Sequence, residues 1–377
     1  MPISTPRPPH RLERLRAWME EEQLDSTVVL GADNVNHLCG YWRYFGGPSA
    51  LVLGRDGERT LVVMVDEVPI AERLSDADRV LGYGTRGFGF DLDPIAGIVE
   101  TVGAVPAVAR AARVGVASEL PGADARLGAA ISAFVEDASS ALHRIRLVKD
   151  WDELERIGAG YELCWIGQQA VADGAVPGAS EIELYTAAQS TAQIASGGPI
   201  EFVCDLLSGS ATADVCCPVH VAGTRRLEPG DPVIADVVVR TAGYWGDSAA
   251  TYAVGENADA EAARSLLLDV LEQARLELVP GATGAQVFSR MQERITDALP
   301  DGELPHHGGH ALGLTGFEDP HLIPGDTMPF EPWMVLAVEP GVYVEGRYGA
   351  RVENVFVVTP GGGVELRTAL AEEGDGH

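Results

Sequence analysis

The sequence predicts an α/β (α+β) protein of two domains, a mixed-sheet domain followed by a larger one. Three observations carry that prediction. Between residues 26 and 118, short Val- and Leu-rich runs alternate with helix-patterned segments and turn residues. After residue 150 the texture changes, with long helical stretches first and then strands and Gly-rich loops. At 377 residues the chain is long enough for two separate cores.

The elements follow in order. Residues 1–9, punctuated by proline, carry no periodic pattern and are expected to be disordered. Residues 10–23 place Leu12, Leu15, Trp18 and Met19 on one helical face. Strands are expected at 26–31, 49–54 and 60–65, a helix at 68–75 and a strand near 79–84. A helix over 94–104, a strand over 113–118 and a helix over 125–135 complete a first domain at 10–145. The second domain is placed at 146–368. A basic extended piece from Arg144 gives way at Asp150 to a helix whose first turn is acidic, which the helix dipole favours. That helix continues to about Val176; Gly178 ends it and Ser180 caps a second helix over 182–196. Residues 196–255 read as strand and turn, 257–299 as two helices, and 305–367 as strands and loops. Residues 369–377 form an acidic, polar tail.

Composition narrows the function. The net charge of −29 and pI near 4.5 make a surface that repels nucleic acid and anionic membranes, so neither is expected as a partner. No apolar run is long enough for a membrane span, and the N-terminus lacks the apolar core of a secretory signal. Five cysteines without framework spacing point to the reducing cytoplasm. The vicinal pair Cys216 and Cys217 reads as two partly buried thiols rather than a metal or redox site. Lys149 is the single lysine, against 26 arginines.

The chemistry concentrates in Asp236, Asp247, His310, Glu339 and Glu353, spread over 118 positions. They sit in the segments DVVVRTAGYWGD, HHGGHALGL, AVEPGVYV and GARVEN. Four carboxylates and one imidazole suit two divalent cations held side by side. Carboxylates bring charge and bridge metals, and imidazole suits Mn, Fe, Co or Zn. Such a pair activates a water and polarises a carbonyl together. Each residue alone is more simply a cap, a turn or a structural histidine; the ordered set is what points to a metal centre.

Those segments resemble the pita-bread metallohydrolases, the fold of methionine aminopeptidase, Xaa-Pro aminopeptidase, prolidase and creatinase. Residues 150–366 resemble the catalytic domain and the N-terminal domain resembles the creatinase-type domain of the Xaa-Pro branch. There, NVNHLCGY (34–41) is similar to the family's Asn-x-x-Tyr-Leu-Thr-Gly-Phe segment. RLVKDWDEL and PGASEIEL (177–184) are similar to the family segments that open the catalytic domain and its second helix. GYWGD (243–247), GHALGL (309–314), EPGVY (339–343) and GARVE (349–353) match the family's ligand motifs. The resemblance implies that Asp247 and Glu353 bridge two metals, Asp236 holds one, and His310 and Glu339 hold the other. It further implies that Glu339 moves a proton while a hydroxide between the metals attacks an amide carbonyl. His220, sixteen residues before Asp236, and His306, four before His310, are the further catalytic candidates. Arg351 is expected either to bind a substrate carboxylate or to brace the carboxylate cluster. A homodimer is implied, with the loop GYWRYFGG (40–47), including Tyr41 and Trp42, approaching the partner's site.

Three positions depart from the family pattern. Phe317 stands where Xaa-Pro peptidases carry a second histidine, Ala249-Ala250-Thr251 replaces Thr-Arg-Thr, and Val238 replaces a small residue. All three leave the ligands intact and change the wall around them, so the substrate stays open. The leading reading is an Xaa-Pro dipeptidase-like hydrolase of small peptides. A non-peptidase enzyme of this fold, a C–N hydrolase, lyase or dehydratase on a small metabolite or osmolyte, is the alternative. A non-catalytic binding protein is the second alternative.

Overall fold

A computed structural model describes residues 6–87, 92–214, 222–300 and 304–374. It divides into two compact units, one over Pro9–Arg146 and one from Leu147 onward. Residues just before Pro9 lie against the second unit: the Pro6 carbonyl accepts a hydrogen bond from Trp333 Nε1 at 2.9 Å, and the Arg7 guanidinium lies 4.4 Å from the Trp151 ring. Among the described residues no helix is long and apolar enough to cross a membrane.

The first unit runs α1 (Arg11–Glu21), β1 (Ser26–Leu30), α2 (Ala32–Cys39), β2 (Ala50–Gly54), β3 (Arg59–Met64), α3 (Val68–Leu74), β4 (Arg79–Tyr83), α4 (Pro94–Ala104), α5 (Pro106–Ala109), β5 (Arg113–Ser118), α6 (Ala123–Ala130), β6 (Phe134–Asp137) and α7 (Ser139–Leu147). The sheet is mixed, in the order β4-β3-β2-β1-β5-β6, with β1 antiparallel to β2 and parallel to β5. The strand period of two explains its two cores. Val29, Leu51, Leu53 and Leu61 pack on one face, while Val28, Leu30, Val52 and Val62 pack on the other. With helices over both faces, the central strands read as unbroken apolar runs.

Three local readings need correction. The helix expected over 125–135 stops at Ala130, and Phe134–Asp137 instead form β6 beside β5. Pairing along the β5 edge overrides the helical propensity of that alanine-rich stretch. Arg144–Leu147 is not extended but ends α7, whose Ala141, Leu142 and Ile145 are buried. Helix α2 was not anticipated, because ADNVNHLC is rich in residues that favour turns over helix interiors. Glu119 supplies the missing start signal: its carboxylate accepts from the amides of Asp33 and Asn34 at 3.1 and 2.9 Å.

The second unit opens with α8 (Trp151–Gly174) and α9 (Glu181–Ser196). Both begin with reciprocal capping boxes, Asp150 with Glu153 and Ser180 with Glu183. Gly178, at φ +89°, lies in the turn between them, four residues beyond the end of α8. Next come β7 (Glu201–Ser208), β8 (Pro232–Thr241) and β9 (Tyr244–Ala253), paired antiparallel in that order. Helices α10 (Ala258–Glu277) and α11 (Gly284–Ala298) follow. The remaining elements are β10 (Gly309–Ala311), β11 (Glu318–His321), β12 (Val335–Val338), β13 (Gly341–Val344), β14 (Tyr348–Arg351), β15 (Asn354–Val357), β16 (Val364–Glu365) and α12 (Leu366–Gly374). Strands β11-β10-β12-β15-β16 form one sheet and β13-β14 a hairpin. Helix α12 extends into the segment read as a tail, and its Leu366 and Ala369 are buried. Helix α8 lies directly on β8 and β9: a Cβ on Gly160 would come within 2.9 Å of the Gly246 nitrogen. That close approach fixes the strand segment that carries Asp247.

Candidate metal centre

Asp236 and Asp247 sit on neighbouring strands, β8 and β9, where Val238 is the cross-strand partner of Asp247. His310 is the middle residue of β10, and Glu339 immediately follows β12, which pairs with β10. Glu353 lies between β14 and β15, its amide bonded to the Ala249 carbonyl at 2.8 Å. Local sequence explains the placement of His310 and Glu339. Gly309 adopts φ +145°, and a Cβ there would run into the Ala337 carbonyl. Gly341, in the EPG turn, leaves room for His306 and Tyr343; a Cβ would lie 2.6 Å from His306 Nε2.

The five side chains converge. Ligand-type atoms of Asp247, His310 and Glu353 all lie within 4.8 Å of one another, and all three residues are buried. His310 Nε2 is 3.7 Å from both Asp247 Oδ2 and Glu339 Oε1. Its Nδ1 faces the Ala311 carbonyl at 3.0 Å, which leaves Nε2 as the atom turned to the acids. Asp236 joins through Arg351, whose Nη1 is 2.6 Å from Asp236 Oδ2.

Polar accounting shows what the cluster lacks. Asp247 Oδ1 and both Glu353 oxygens are buried without a hydrogen-bond partner among the described residues. Leaving buried carboxylate oxygens unpaired costs several kcal/mol unless a cation or proton neutralises them. Burial first, and then the neighbouring acids, push the Asp247 and Glu353 carboxyls well above the usual carboxylate range. Burial raises Asp236 to about 6, with Arg351 opposing. Glu339 goes the other way: burial would raise it, but the imidazole of His307 at 3.0 Å, with His310 and His306 behind, brings it down to about 2. Burial lowers His306 to about 4. This donor set, hard oxygens with one imidazole and a deficit of positive charge, fits divalent cations.

The surroundings are well braced. Arg351 Nη1 also lies 3.4 Å from Asp205 Oδ2, and Arg351 Nε donates to Tyr343 Oη at 3.0 Å. Arg351 thus touches two protein carboxylates. His306 Nε2 meets the same Tyr343 Oη at 3.0 Å. His307 Nδ1 is 3.0 Å from Glu339 Oε1. The Phe317 ring lies over His310, centroids 4.3 Å apart, yet 64% of the residue is exposed. Tyr41 and Trp42 belong to the first unit. There Tyr41 is buried and donates to Glu67 Oε2 at 3.0 Å, and Trp42 packs edge-on to Tyr44. His220, Cys216 and Cys217 lie outside the described residues.

Sequence reasoning passed over His307, Tyr343 and Asp205. His307 and Tyr343 stand inside quoted segments, HHGGH and EPGVY, and polar residues beside a ligand are a usable signal. Asp205 has no local signal; it becomes visible only because β7 pairs it with Asp236.

Comparison with known proteins now bears on this geometry. The metallopeptidase family M24 model matches residues 161–360, and the creatinase/prolidase N-terminal domain model matches 11–148. The chain belongs to metallopeptidase family M24. A probable dipeptidase PepE from Mycobacterium bovis is 32% identical over 242 residues, covering 62% of this chain and 62% of that protein. An Xaa-Pro dipeptidase from Lactobacillus helveticus is 28% identical over 239 residues, again covering 62% of its length. The chain therefore aligns with less than two thirds of these relatives. The prolidase of Pyrococcus horikoshii OT3 superposes with a TM-score of 0.77 at 20% identity, covering 95% of this chain and 98% of that one. At that identity the likeness shows the fold alone: a creatinase-type N-terminal domain followed by a pita-bread domain.

Proposed function

We propose that this protein is a metal-dependent dipeptidase that cleaves the bond before proline in small peptides. The observation that carries the metal centre is the buried, unpartnered carboxylate pair Asp247 and Glu353 beside His310. The Xaa-Pro preference is supported by family membership and by the activity named for the Lactobacillus relative.

Asp236, Asp247, His310, Glu339 and Glu353 would hold two divalent ions. Two ions held there supply Lewis acidity and a water activated near neutral pH. The chain supplies the rest. Arg351, itself bonded to Tyr343 Oη, holds Asp236 Oδ2 and so orients that carboxylate before any ion arrives. Glu339 Oε1, 3.0 Å from His307 Nδ1, is the atom assigned to proton transfer toward the departing amine. The His306–Tyr343–Arg351 chain fixes the wall opposite. Mn, Co, Fe and Zn all suit this donor set. Buried free thiols at Cys164 and Cys204 support a reducing cytoplasm as its place, and exposed Tyr44 and Phe45 support the homodimer.

The test is turnover of a panel of Xaa-Pro dipeptides after loading with Mn2+ or Co2+, with bound metal measured in the same sample. Two bound ions and no turnover on any Xaa-Pro peptide would sink the peptidase reading. Phe317 is the one feature that speaks for the non-peptidase alternative, and family membership and the dipeptidase relatives weigh against it and against the binding-protein alternative.

A further inference from the structure

We propose that the buried Lys149–Glu318 ion pair is a positioning device that sets the loop over the metal centre, and with it the place of Phe317 on His310. The loop is 312–317, which joins β10 to β11. One end of it follows His310 and Ala311; the other delivers Phe317 and Glu318. Lys149 Nζ is 2.9 Å from Glu318 Oε2, with side-chain exposures of 1% and 7%. The other carboxylate oxygen, Oε1, accepts from the Thr315 amide at 3.2 Å and faces its hydroxyl at 3.4 Å. Thr315 Oγ1 in turn donates to the Phe317 carbonyl at 3.0 Å. A continuous polar chain thus runs from Lys149 to the backbone of Phe317.

The anchor itself is fixed. The Lys149 amide donates to the Trp333 carbonyl at 3.0 Å, and its ammonium faces the Leu147 carbonyl at 3.5 Å. On the other side the loop is held by the Trp245 amide on the Gly313 carbonyl, at 2.8 Å. The loop backbone lies directly on the pair: a Cβ at Gly313 would come within 3.0 Å of Glu318 Oε2 and 3.2 Å of Lys149 Cε.

Burying such a pair is weak as a source of stability, because desolvation offsets the attraction and apolar replacements are often neutral or better. Its value must therefore be sought in what it orients. The choice of cation agrees. This chain uses arginine 26 times and lysine once, and the one lysine is here. A guanidinium fork needs more room than a compact ammonium, and the loop backbone lies close enough that even a Cβ added at Gly313 would sit 3.2 Å from Lys149 Cε. What the loop positions is the exposed Phe317 ring, 4.3 Å from His310 and 5.8 Å from His307.

The test uses the full-length, metal-loaded protein. Lys149→Met alone strands a buried carboxylate and should unfold at distinctly lower temperature. The double variant Lys149→Met/Glu318→Leu removes both charges and should recover the parent melting temperature. If the pair positions the loop, the double variant still shows amide exchange in 312–318 that is faster by about tenfold, with β12 unchanged. Its KM for an Xaa-Pro dipeptide rises while metal content holds, and Lys149→Arg does not rescue it. Recovery of melting temperature together with parental exchange and parental KM makes the pair merely structural and overturns the proposal. Should the double variant not fold, Glu318→Gln, which keeps the volume but leaves one acceptor oxygen to serve both Lys149 and Thr315, must show the same exchange increase; parental exchange there also overturns it. The kinetic arm rests on the peptidase reading, whereas the exchange arm does not, so failure of one is distinguishable from failure of the other.

Discussion

Arg351 Nη1 lies 2.6 Å from Asp236 Oδ2 and 3.4 Å from Asp205 Oδ2, so one guanidinium group separates two acids that β7 and β8 place opposite each other. Without it, two carboxylates would face one another in a site already rich in acid. Arg351→Met is therefore expected to cost about 3–5 kcal/mol of folding stability. Arg351→Lys should fall short of full recovery, because an ammonium cannot serve Tyr343 Oη and both acids with a planar fork. Urea denaturation of the metal-free proteins measures this; an unchanged midpoint for Arg351→Met refutes the bracing role.

The unpaired oxygens of Asp247 and Glu353 make the metal-free site unstable in a way that the loaded site is not. Glu353→Gln replaces a buried titratable carboxyl with a neutral group of the same shape. It should leave the metal-free protein as stable as the parent or more so, while abolishing the gain in melting temperature that Mn2+ gives the parent. Ligand binding to the native state alone raises stability by RT ln(1 + [L]/Kd), about 2.7 kcal/mol at a hundredfold excess over Kd. Thermal scans with and without Mn2+ decide it. A Glu353→Gln protein that still gains stability from the ion argues against Glu353 as a ligand.

The same carboxyls predict a pH dependence. Asp247 and Glu353 are raised well above their unfolded values, and Asp236 is raised to about 6. With folded pKa above unfolded pKa, the native state binds more protons, so metal-free stability rises as pH falls through about 6 toward the Asp236 unfolded value of 3.8. Glu339, brought down to about 2, stays ionised throughout that window. Metal uptake must then expel protons. Calorimetric titration with Mn2+ in two buffers of different ionisation enthalpy should give different apparent enthalpies near neutral pH. Identical enthalpies would mean that the acids are already ionised in the metal-free protein.

Much of this arrangement was legible along the chain, and the reason is local. Short ligand-bearing segments such as GHALGL and EPGVY combine a glycine that a close approach requires with the side chain that it presents, so spacing and chemistry are read together. The strands of the first unit were legible because sheets buried on both faces need continuous apolar runs. What the sequence concealed was made by distant partners. Glu119 starts α2 from 85 residues away. Asp205 meets Arg351 across 146 residues, and Lys149 meets Glu318 across 169. Strand β6 exists because β5 offers an edge, in a stretch whose own composition favours helix. No local pattern encodes these contacts, since each partner looks ordinary where it stands.

Phe317 offers the sharpest test of substrate choice. Its ring covers His310 at 4.3 Å and remains 64% exposed, so it presents an apolar face where an imidazole could donate a hydrogen bond. A donor aimed at charge developing on a reacting carbonyl is worth on the order of 3 kcal/mol, or about a hundredfold in rate. Phe317→His should therefore raise kcat on Xaa-Pro dipeptides, by tenfold or more if the imidazole reaches the reacting oxygen. Phe317→Ala is the control, because it removes the ring without adding a donor, and it should bring no gain. Steady-state kinetics at matched metal content separate the two. A gain in Phe317→Ala equal to that in Phe317→His would show that the ring obstructs the site sterically, and that the missing donor is not what limits hydrolysis.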